Sequence, residues 1–371
     1  MTSPARLFVF GTLRHRPLID VVLGASDHLT LRDARLPGYR VGAIAGAPFP
    51  GIQADAEAEA TGLVIEGVTS EDIARLDYYE GAFDYKRVDV VLASGGPAQV
   101  YLPPPDVYQL EGPWDLDAWV RDWGALSCHA AREVMGYRGA QTPHDIAAMF
   151  PMIRARAASR VRASQSLHGE TTPDGAVEIL RRDRVYSKYF ALDDMTLRHT
   201  RFDGGVSDSI ERAAFVSIDA SIVLPYDPAR DRVLLVEQMR VGPLARGDRS
   251  VWQLEPVAGH IDPGETPEHA ARREAREEAD LALSDLFPVA QTYASSGATT
   301  EFYYIFVGIA DLPDETATVA GVLSEGEDIR SHLMSFEALM QMCDTQRAAN
   351  APLIIAAYWL ARHREQLRAK T

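Results

Sequence analysis

Two cysteines, Cys128 and Cys343, are all that 371 residues contain, and they lie far apart. A disulfide framework or a structural zinc site is therefore not expected, and a reducing compartment fits. Long apolar runs are also missing. Nothing approaches the roughly 18 residues of a membrane span, and the start, MTSPARLFVFGTLRH, lacks the basic-then-apolar layout of a signal peptide. Positive charge is in deficit, with 37 Lys and Arg against 53 Asp and Glu and a formal net charge of −16. An average field of that sign repels phosphate backbones and anionic bilayers, which argues against nucleic-acid and membrane partners. It does not exclude small phosphorylated substrates, because a divalent cation can bridge carboxylates and phosphate. No repeat or long low-complexity segment is visible. What remains is ordinary globular material, 46% hydrophobic and 24% charged, long enough for two or three domains. The expected setting is cytoplasmic.

Three parts are predicted, at residues 1–112, 113–175 and 176–371. The first reads as an α/β unit, with strands near 7–10, 61–65, 87–93 and 98–102 and a helix over 71–77 capped by Ser70. Residues 54–60, which alternate Ala with acids, read as a short surface loop. Pro103, Pro104 and Pro105 end this part, since they cannot continue a central strand. In the second, Leu116, Trp119, Trp123, Leu126, Ala130 and Val134 recur at helical spacing and form one apolar stripe. Thr142 and Pro143 then supply a cap and a first helical residue. Arg154, Arg156, Arg160 and Arg162 cluster on this stretch. They read as a solvated face or as salt-bridge partners, with recruitment of an anionic ligand as the alternative. The third part returns to strands, near 178–184, 188–197, 217–225, 232–238, 286–291 and 301–309, with helices over 267–282, 335–345 and 352–368.

The segment 259–278 carries the clearest chemistry. Thr266 can cap a helix that Pro267 opens. On that helix Glu274, Glu277 and Glu278 stand at i, i+3 and i+4 and share one face. Carboxylates so close repel unless a cation lies among them, and hard divalent ions such as Mg²⁺ take oxygen ligands. An acidic surface helix with an Arg273–Glu277 pair is the plain alternative. The whole pattern resembles the Nudix box: Gly259, Glu265, Arg273, Glu274, Glu277 and Glu278 fall at its fixed positions, and Asp280 stands where the family has Gly. Asp tolerates the left-handed conformation required there better than most residues.

The resemblance narrows beyond the box. Leu224-Pro-Tyr-Asp-Pro, Leu234-Leu-Val-Glu-Gln-Met-Arg240, Leu254-Glu-Pro-Val-Ala-Gly259 and Gly326-Glu-Asp-Ile-Arg330 look like the ADP-ribose pyrophosphatase branch of the Nudix hydrolases. A loop that runs Ser-Pro-Gly-Gly-Thr-Ser-Glu in that branch runs Ser295-Ser-Gly297-Ala-Thr-Thr-Glu301 here. The resemblance implies an α/β/α sandwich and Mg²⁺-dependent cleavage of ADP-ribose to AMP and ribose 5-phosphate, with Mn²⁺ a possible substitute. It implies metal ligands at Glu274, Glu278, Glu327 and the carbonyl of Ala258, with Glu277 beside them, and Glu325 as the carboxylate that activates water. It further implies substrate contacts at Arg240, Ser295, Gly297 and Glu301, the last reaching across a homodimer, and a bracing pair in Arg273 and Glu265. Another nucleoside diphosphate derivative, such as a nucleotide sugar or NADH, is the alternative substrate. A non-catalytic sensor of nucleotides or glutathione metabolites is the alternative class.

At the front, Phe10-Gly11-Thr12-Leu13 ends a strand, and Glu80-Gly81 closes a helix among Tyr78, Tyr79 and Tyr85. A glycine at a strand end leaves backbone amides free to cradle an anion, and a carboxylate at a partly apolar site can hold a raised pKa. With Ala34-Arg-Leu-Pro-Gly-Tyr39 and Phe49-Pro50, these residues resemble the gamma-glutamylcyclotransferase-like (AIG2-like) family. That likeness implies a β-barrel, a substrate cradle at Gly11, Thr12 and Leu13, and Glu80 as the general acid/base that releases 5-oxoproline. Joined by a helical connector, the two parts look like the tellurite-resistance-associated Nudix proteins, an α+β multi-domain architecture.

Overall fold

The computed structural model describes residues 5–24, 26–165, 176–316, 319–320 and 328–369. It forms two compact units, Met1–Thr171 and Thr172–Thr371.

In the first unit, β1 (Ala5–Val9) leads through a 3₁₀ turn (Thr12–Arg14) to α1 (Arg16–Leu23). There follow β2 (Thr30–Ala43), β3 (Pro50–Val68), α2 (Ser70–Gly81), β4 (Lys86–Val91) and β5 (Pro97–Leu102). The helical part is α3 (Leu116–Trp119), a π-helical turn (Val120–Gly124), α4 (Ala125–Gly136) and α5 (Pro143–Ser164). The strands pair in the order β2-β3-β1-β5-β4. Alternation along β1 sorts its side chains between two cores. Leu7 and Val9 face the helices, while Phe8 packs with Leu36, Ile52, Val64 and Val100 inside the curl of the sheet.

The sheet does not close into the expected barrel. Its edges, β2 and β4, do not pair; the Ala93 amide, just past the end of β4, donates to the Arg35 carbonyl of β2 at 3.0 Å. A barrel needs a continuous ladder there, and the turn through Gly95 and Gly96, both at positive φ, returns the chain to β5 first. Residues 54–60 are strand, not loop: they lie within β3, and their ends pair with β2 on either side of an irregular step in register, with Ala54 opposite Tyr39 and Glu59 opposite Pro37. Pro37 is tolerated because β2 is an edge.

The helices at 116–164 share the first unit's core. Trp119, Leu126, Val134, Ile146 and Ile153 are buried with Leu7, Leu18, Val22, Ile65 and Leu76. Thr142 caps α5 in a reciprocal box with Asp145, and Pro143 opens it. Of the arginine cluster, Arg156 is 2% exposed and pairs with buried Glu133 at 2.6 Å, so it is no solvated charge.

In the second unit, β6 (Val177–Ser187), β7 (Ala191–His199) and β8 (Ile210–Val216) form an antiparallel three-stranded sheet. The larger sheet follows the order β13-β14-β9-β10-β16-β15, with β11 on β10 and β12 on β9. Its strands are β9 (Ala220–Asp227), β10 (Arg232–Met239), β11 (Trp252–Glu255), β12 (Val257–His260), β13 (Leu286–Tyr293), β14 (Phe302–Ile309), β15 (Val319–Ala320) and β16 (Ile329–Ser335). The helices are α6 (Val241–Arg246), α7 (Pro267–Ala279), α8 (Phe336–Asp344) and α9 (Ala351–Arg368). Both faces of the sheet are covered. Ile222, Leu224, Val233 and Leu235 face α8 and α9, while Val223, Leu234 and Val236 face the alanines of α7. Strands buried on both sides read as continuous apolar runs, which β9 and β10 are.

Candidate functional site

Helix α7 starts where the sequence predicts, with the Thr266 side chain accepting from the His269 amide and Pro267 in the first turn. Ala270, Ala271, Ala275 and Ala279 are buried on one side, and small side chains there bring the helix backbone close to the sheet. That closeness matters at Gly259 on β12, where an added Cβ would lie 1.9 Å from Oε1 of Glu274. Only glycine leaves this carboxylate its place. Glu278 is 2% exposed, and its Oε2 accepts the Ala258 amide at 3.1 Å. Arg273 ties the cluster together. It donates to both oxygens of Glu265 at 3.1 Å each, to the His260 carbonyl at 2.9 Å, to Glu274 at 2.6 Å and to Glu277 at 3.0 Å.

Asp280 ends the helix in the left-handed region, φ 51° and ψ 38°, with its amide donating to Arg276 at 3.0 Å. Its side chain is exposed. Asp280→Gly therefore relieves backbone strain and is expected to stabilise the unit by about 0.5–1 kcal/mol. A denaturant midpoint that falls instead would contradict this account of the turn.

Glu274 and Glu278 set hard carboxylate oxygens beside the β12 backbone, the donor chemistry that a divalent cation takes, while Glu277 is paired with Arg273. Among the described residues, no three acidic, His or Cys side chains converge on one point. Glu325 and Glu327 lie outside the described residues.

Beyond the box, Arg240 donates to Glu255 at 2.7 Å, and Asn350 donates to the other oxygen of Glu255 at 3.1 Å. Glu301 is reached by the same field. Burial raises its carboxyl pKa, while the Tyr303 hydroxyl, 3.1 Å away, and the Arg240 charge act in the opposite sense. So Arg240 and Glu301 are brought into one polar cluster. The 295–301 loop is pinned to the end of β8: the Phe215 amide donates to the Ala298 carbonyl at 2.8 Å, and Thr300 Oγ1 donates to the Ser217 carbonyl at 2.9 Å. Ser295 turns the loop by accepting from the Ala298 and Thr299 amides at 3.0 Å each. Gly297 has open space around it and no positive φ, so this loop does not depend on the glycine.

Sequence reasoning passed over Glu255, Tyr303 and His260. Burial, with Arg240 and Arg273 adding, pushes the His260 imidazole down to about 4, so it is neutral at physiological pH. Its Nδ1 lies 3.1 Å from the Tyr189 hydroxyl. No local pattern marks these residues; their partners come from distant strands.

The first unit holds a second candidate site. A cavity of about 340 Å³ is bordered by Gly11, Thr12, Leu13 and Glu80 together with Phe49 and Pro50. Gly11 precedes the 3₁₀ turn, whose first amides, those of Thr12 and Leu13, have no acceptor within it. Its added Cβ would meet Pro50 at 3.0 Å. Glu80 is partly buried near the end of α2, and burial pushes its carboxyl up to about 7. Tyr79 and Tyr85 beside it are pushed upward by burial as well and stay protonated. The other border includes Trp123, Ser127, Phe150 and Arg154 from the helical part, which the sequence did not connect with this site.

Two family models match the chain. One, described as NUDIX domain, covers residues 217–356, and the other, gamma-glutamyl cyclotransferase, AIG2-like, covers 7–120. The ADP-ribose pyrophosphatase of Escherichia coli (strain K12) is 39% identical over 192 residues, 52% of this chain and 91% of that protein. Its counterpart in Haemophilus influenzae is 33% identical over 194 residues, 52% of this chain and 89% of that one. A GDP-mannose pyrophosphatase from Enterobacter sp. (strain 638) is 29% identical over 184 residues, 50% and 94% of the two chains.

Proposed function

The chain belongs to the Nudix hydrolases, and from that premise we propose that its second unit cleaves ADP-ribose, water adding across the diphosphate to give AMP and ribose 5-phosphate. The observation that carries this is the Glu274 and Glu278 pair, seated against Ala258 and Gly259 and braced by Arg273. Nudix hydrolases use divalent metal ions. Here the ion is Mg²⁺, or Mn²⁺ in its place, held by Glu274, Glu278, Glu327 and the Ala258 carbonyl, with Glu277 available to a second ion. Bound there, it supplies charge neutralisation on the diphosphate and a more acidic water. Glu325 is the base. Arg273 offsets the repulsion between Glu274 and Glu277 by donating from one guanidinium nitrogen to both. Arg240, Ser295, Gly297 and Glu301 take the nucleoside and ribose ends. A panel of ADP-ribose, GDP-mannose, a UDP-sugar and NADH, read by phosphatase-coupled phosphate release, tests the substrate. ADP-ribose should give the highest kcat/KM, and a better nucleotide sugar would move the assignment there.

The enzyme acts in the cytoplasm, where free cysteines such as buried Cys128 and Cys343 persist, and it is a homodimer through the second unit. The support is β6, an edge strand whose Val177, Ile179, Val185 and Tyr186 are each more than half exposed. An apolar edge of this length is normally covered. Light scattering at micromolar concentration should give twice the chain mass of 40.8 kDa; a fully active monomer would refute it. No helix among the described residues is long and apolar enough to cross a membrane.

The first unit supports γ-glutamyl cyclotransfer. The cavity joins the Gly11–Leu13 turn to a carboxyl that can exchange a proton near neutrality. The substrate's α-amine attacks its own γ-carbonyl, the amide C–N bond breaks, and 5-oxoproline and a free amine leave. Glu80 takes the proton from the attacking nitrogen and returns it to the departing one.

A further inference from the structure

The Glu80 cavity has a wall that the cyclotransferase match does not include. That match ends at residue 120, whereas Trp123, Ser127, Phe150 and Arg154 border the cavity. Phe150 and Arg154 are four residues apart on α5 and so share a face. Phe150 packs edge-on against Phe83 with ring centroids 4.7 Å apart, and Phe83 packs against Tyr79 at 5.7 Å. Tyr79 immediately precedes Glu80. An aromatic wall thus runs from the acid/base candidate to Arg154. At its far end the guanidinium lies 5.4 Å from the centre of the Trp123 ring, and Trp123 sits within the π-helical turn, a distortion frequent at functional sites.

Glu80 and Arg154 are the two side chains of the cavity border that carry formal charge. Arg154 has no hydrogen bond or ion pair with another described residue. Its neighbour Arg156, by contrast, is matched by Glu133. Burial lowers the pKa of Arg154, the mark of a desolvated charge, yet a guanidinium remains protonated at neutral pH. A cation held on an aromatic face without a protein carboxylate is suited to an anion brought by the ligand. A planar fork favours a carboxylate, which it can grip with two parallel hydrogen bonds.

On the cyclotransferase reading the glutamyl end lies beside Glu80, which leaves the aromatic wall to the departing amine. We propose that Arg154, stacked on Trp123, is a specificity-determining residue of this cavity: it binds a carboxylate carried by the departing amine, so that γ-glutamyl compounds with that carboxylate are preferred to those without it. The inference rests on the cyclotransferase reading of this cavity. It gives the helices at 116–164 a task in specificity: they supply the recognition element for the half of the substrate that leaves.

The test compares γ-glutamyl-phenylalanine with γ-glutamyl-phenethylamine, two compounds that differ by one carboxylate. The full-length protein is used, as wild type, Arg154→Gln and Arg154→Lys, with 5-oxoproline release and calorimetric affinity measured for each. Thermal unfolding of the same preparations, unchanged from wild type, reports that the first unit is folded, and hydrolysis of ADP-ribose reports on the second. Wild type should prefer the phenylalanine compound by about 30-fold in kcat/KM, the usual worth of a charge-assisted contact. Arg154→Gln should erase that preference while changing the phenethylamine rate less than about threefold, and Arg154→Lys should restore part of it. Equal losses on both compounds would assign Arg154 to the glutamyl end and overturn the proposal, as would no loss on either. If wild type turns over neither compound, the cyclotransferase reading fails, and affinity decides the inference separately. Carboxylate-dependent binding that Arg154→Gln abolishes sustains the anion site; equal affinities for the pair refute it.

Discussion

Glu278→Gln is expected to lower turnover of ADP-ribose by at least about a hundredfold at limiting Mg²⁺, because it deletes one negative charge from the ligand set of a hard cation. Fold should be preserved. The amide is isosteric, and its oxygen can still accept the Ala258 amide that Glu278 accepts at 3.1 Å. The site is buried, with Glu278 2% exposed, so solvent cannot replace the lost charge. The matching control is Mg²⁺ titration: the variant should need far more ion for half its residual rate. Near wild-type activity at limiting Mg²⁺ would remove Glu278 from the metal site.

Glu80→Gln is expected to abolish 5-oxoproline release while leaving ligand affinity within a few fold, since the amide keeps the shape of the side chain but cannot accept the proton. The pH dependence is specific. A base whose carboxyl titrates at about 7 gives a wild-type rate that rises with pH through neutrality. Stability runs the opposite way. The folded protein holds the Glu80 proton up to about pH 7, whereas the unfolded chain releases it near the ordinary value of 4.5. Between those limits the folded state binds more protons, so the Glu80 contribution falls as pH rises. Glu80→Gln should remove that decline, and the variant should melt higher than wild type above pH 7 and about equally below pH 4.5. A variant that releases 5-oxoproline at the wild-type rate would exclude Glu80 as the acid/base.

Legibility in the sequence followed the range of the interactions. Helix α7 was readable to its cap because Thr266, Pro267 and the alanine face are local signals, and Asp280 takes the left-handed turn that its side chain tolerates. The box residues came together because they lie on one helix and the strand just before it. Residues 54–60 misled because alternating Ala and Glu is weakly apolar; pairing with β2 makes the strand, and no single segment reveals that pairing. The helices at 116–164 were visible as helices, but their place in the first unit's core depends on contacts with Leu18, Ile65 and Leu76, far away in sequence. Arg154 shows the same limit. In the sequence it is one of four arginines in a basic cluster, and only the fold separates it from Arg156, which has its own carboxylate. Gly11 and Glu80 carried local hints, but their meeting at one cavity is a property of the folded sheet and α2.

The central claim is that the second unit hydrolyses the diphosphate of ADP-ribose, and product analysis of one reaction tests it most directly. Purified full-length protein with ADP-ribose and Mg²⁺, followed by ³¹P NMR, should show the two coupled diphosphate resonances replaced by two phosphomonoester signals of equal intensity, those of AMP and ribose 5-phosphate, with loss of the reaction on chelation. An unchanged diphosphate at high enzyme concentration, or products other than this equimolar pair, would contradict the account.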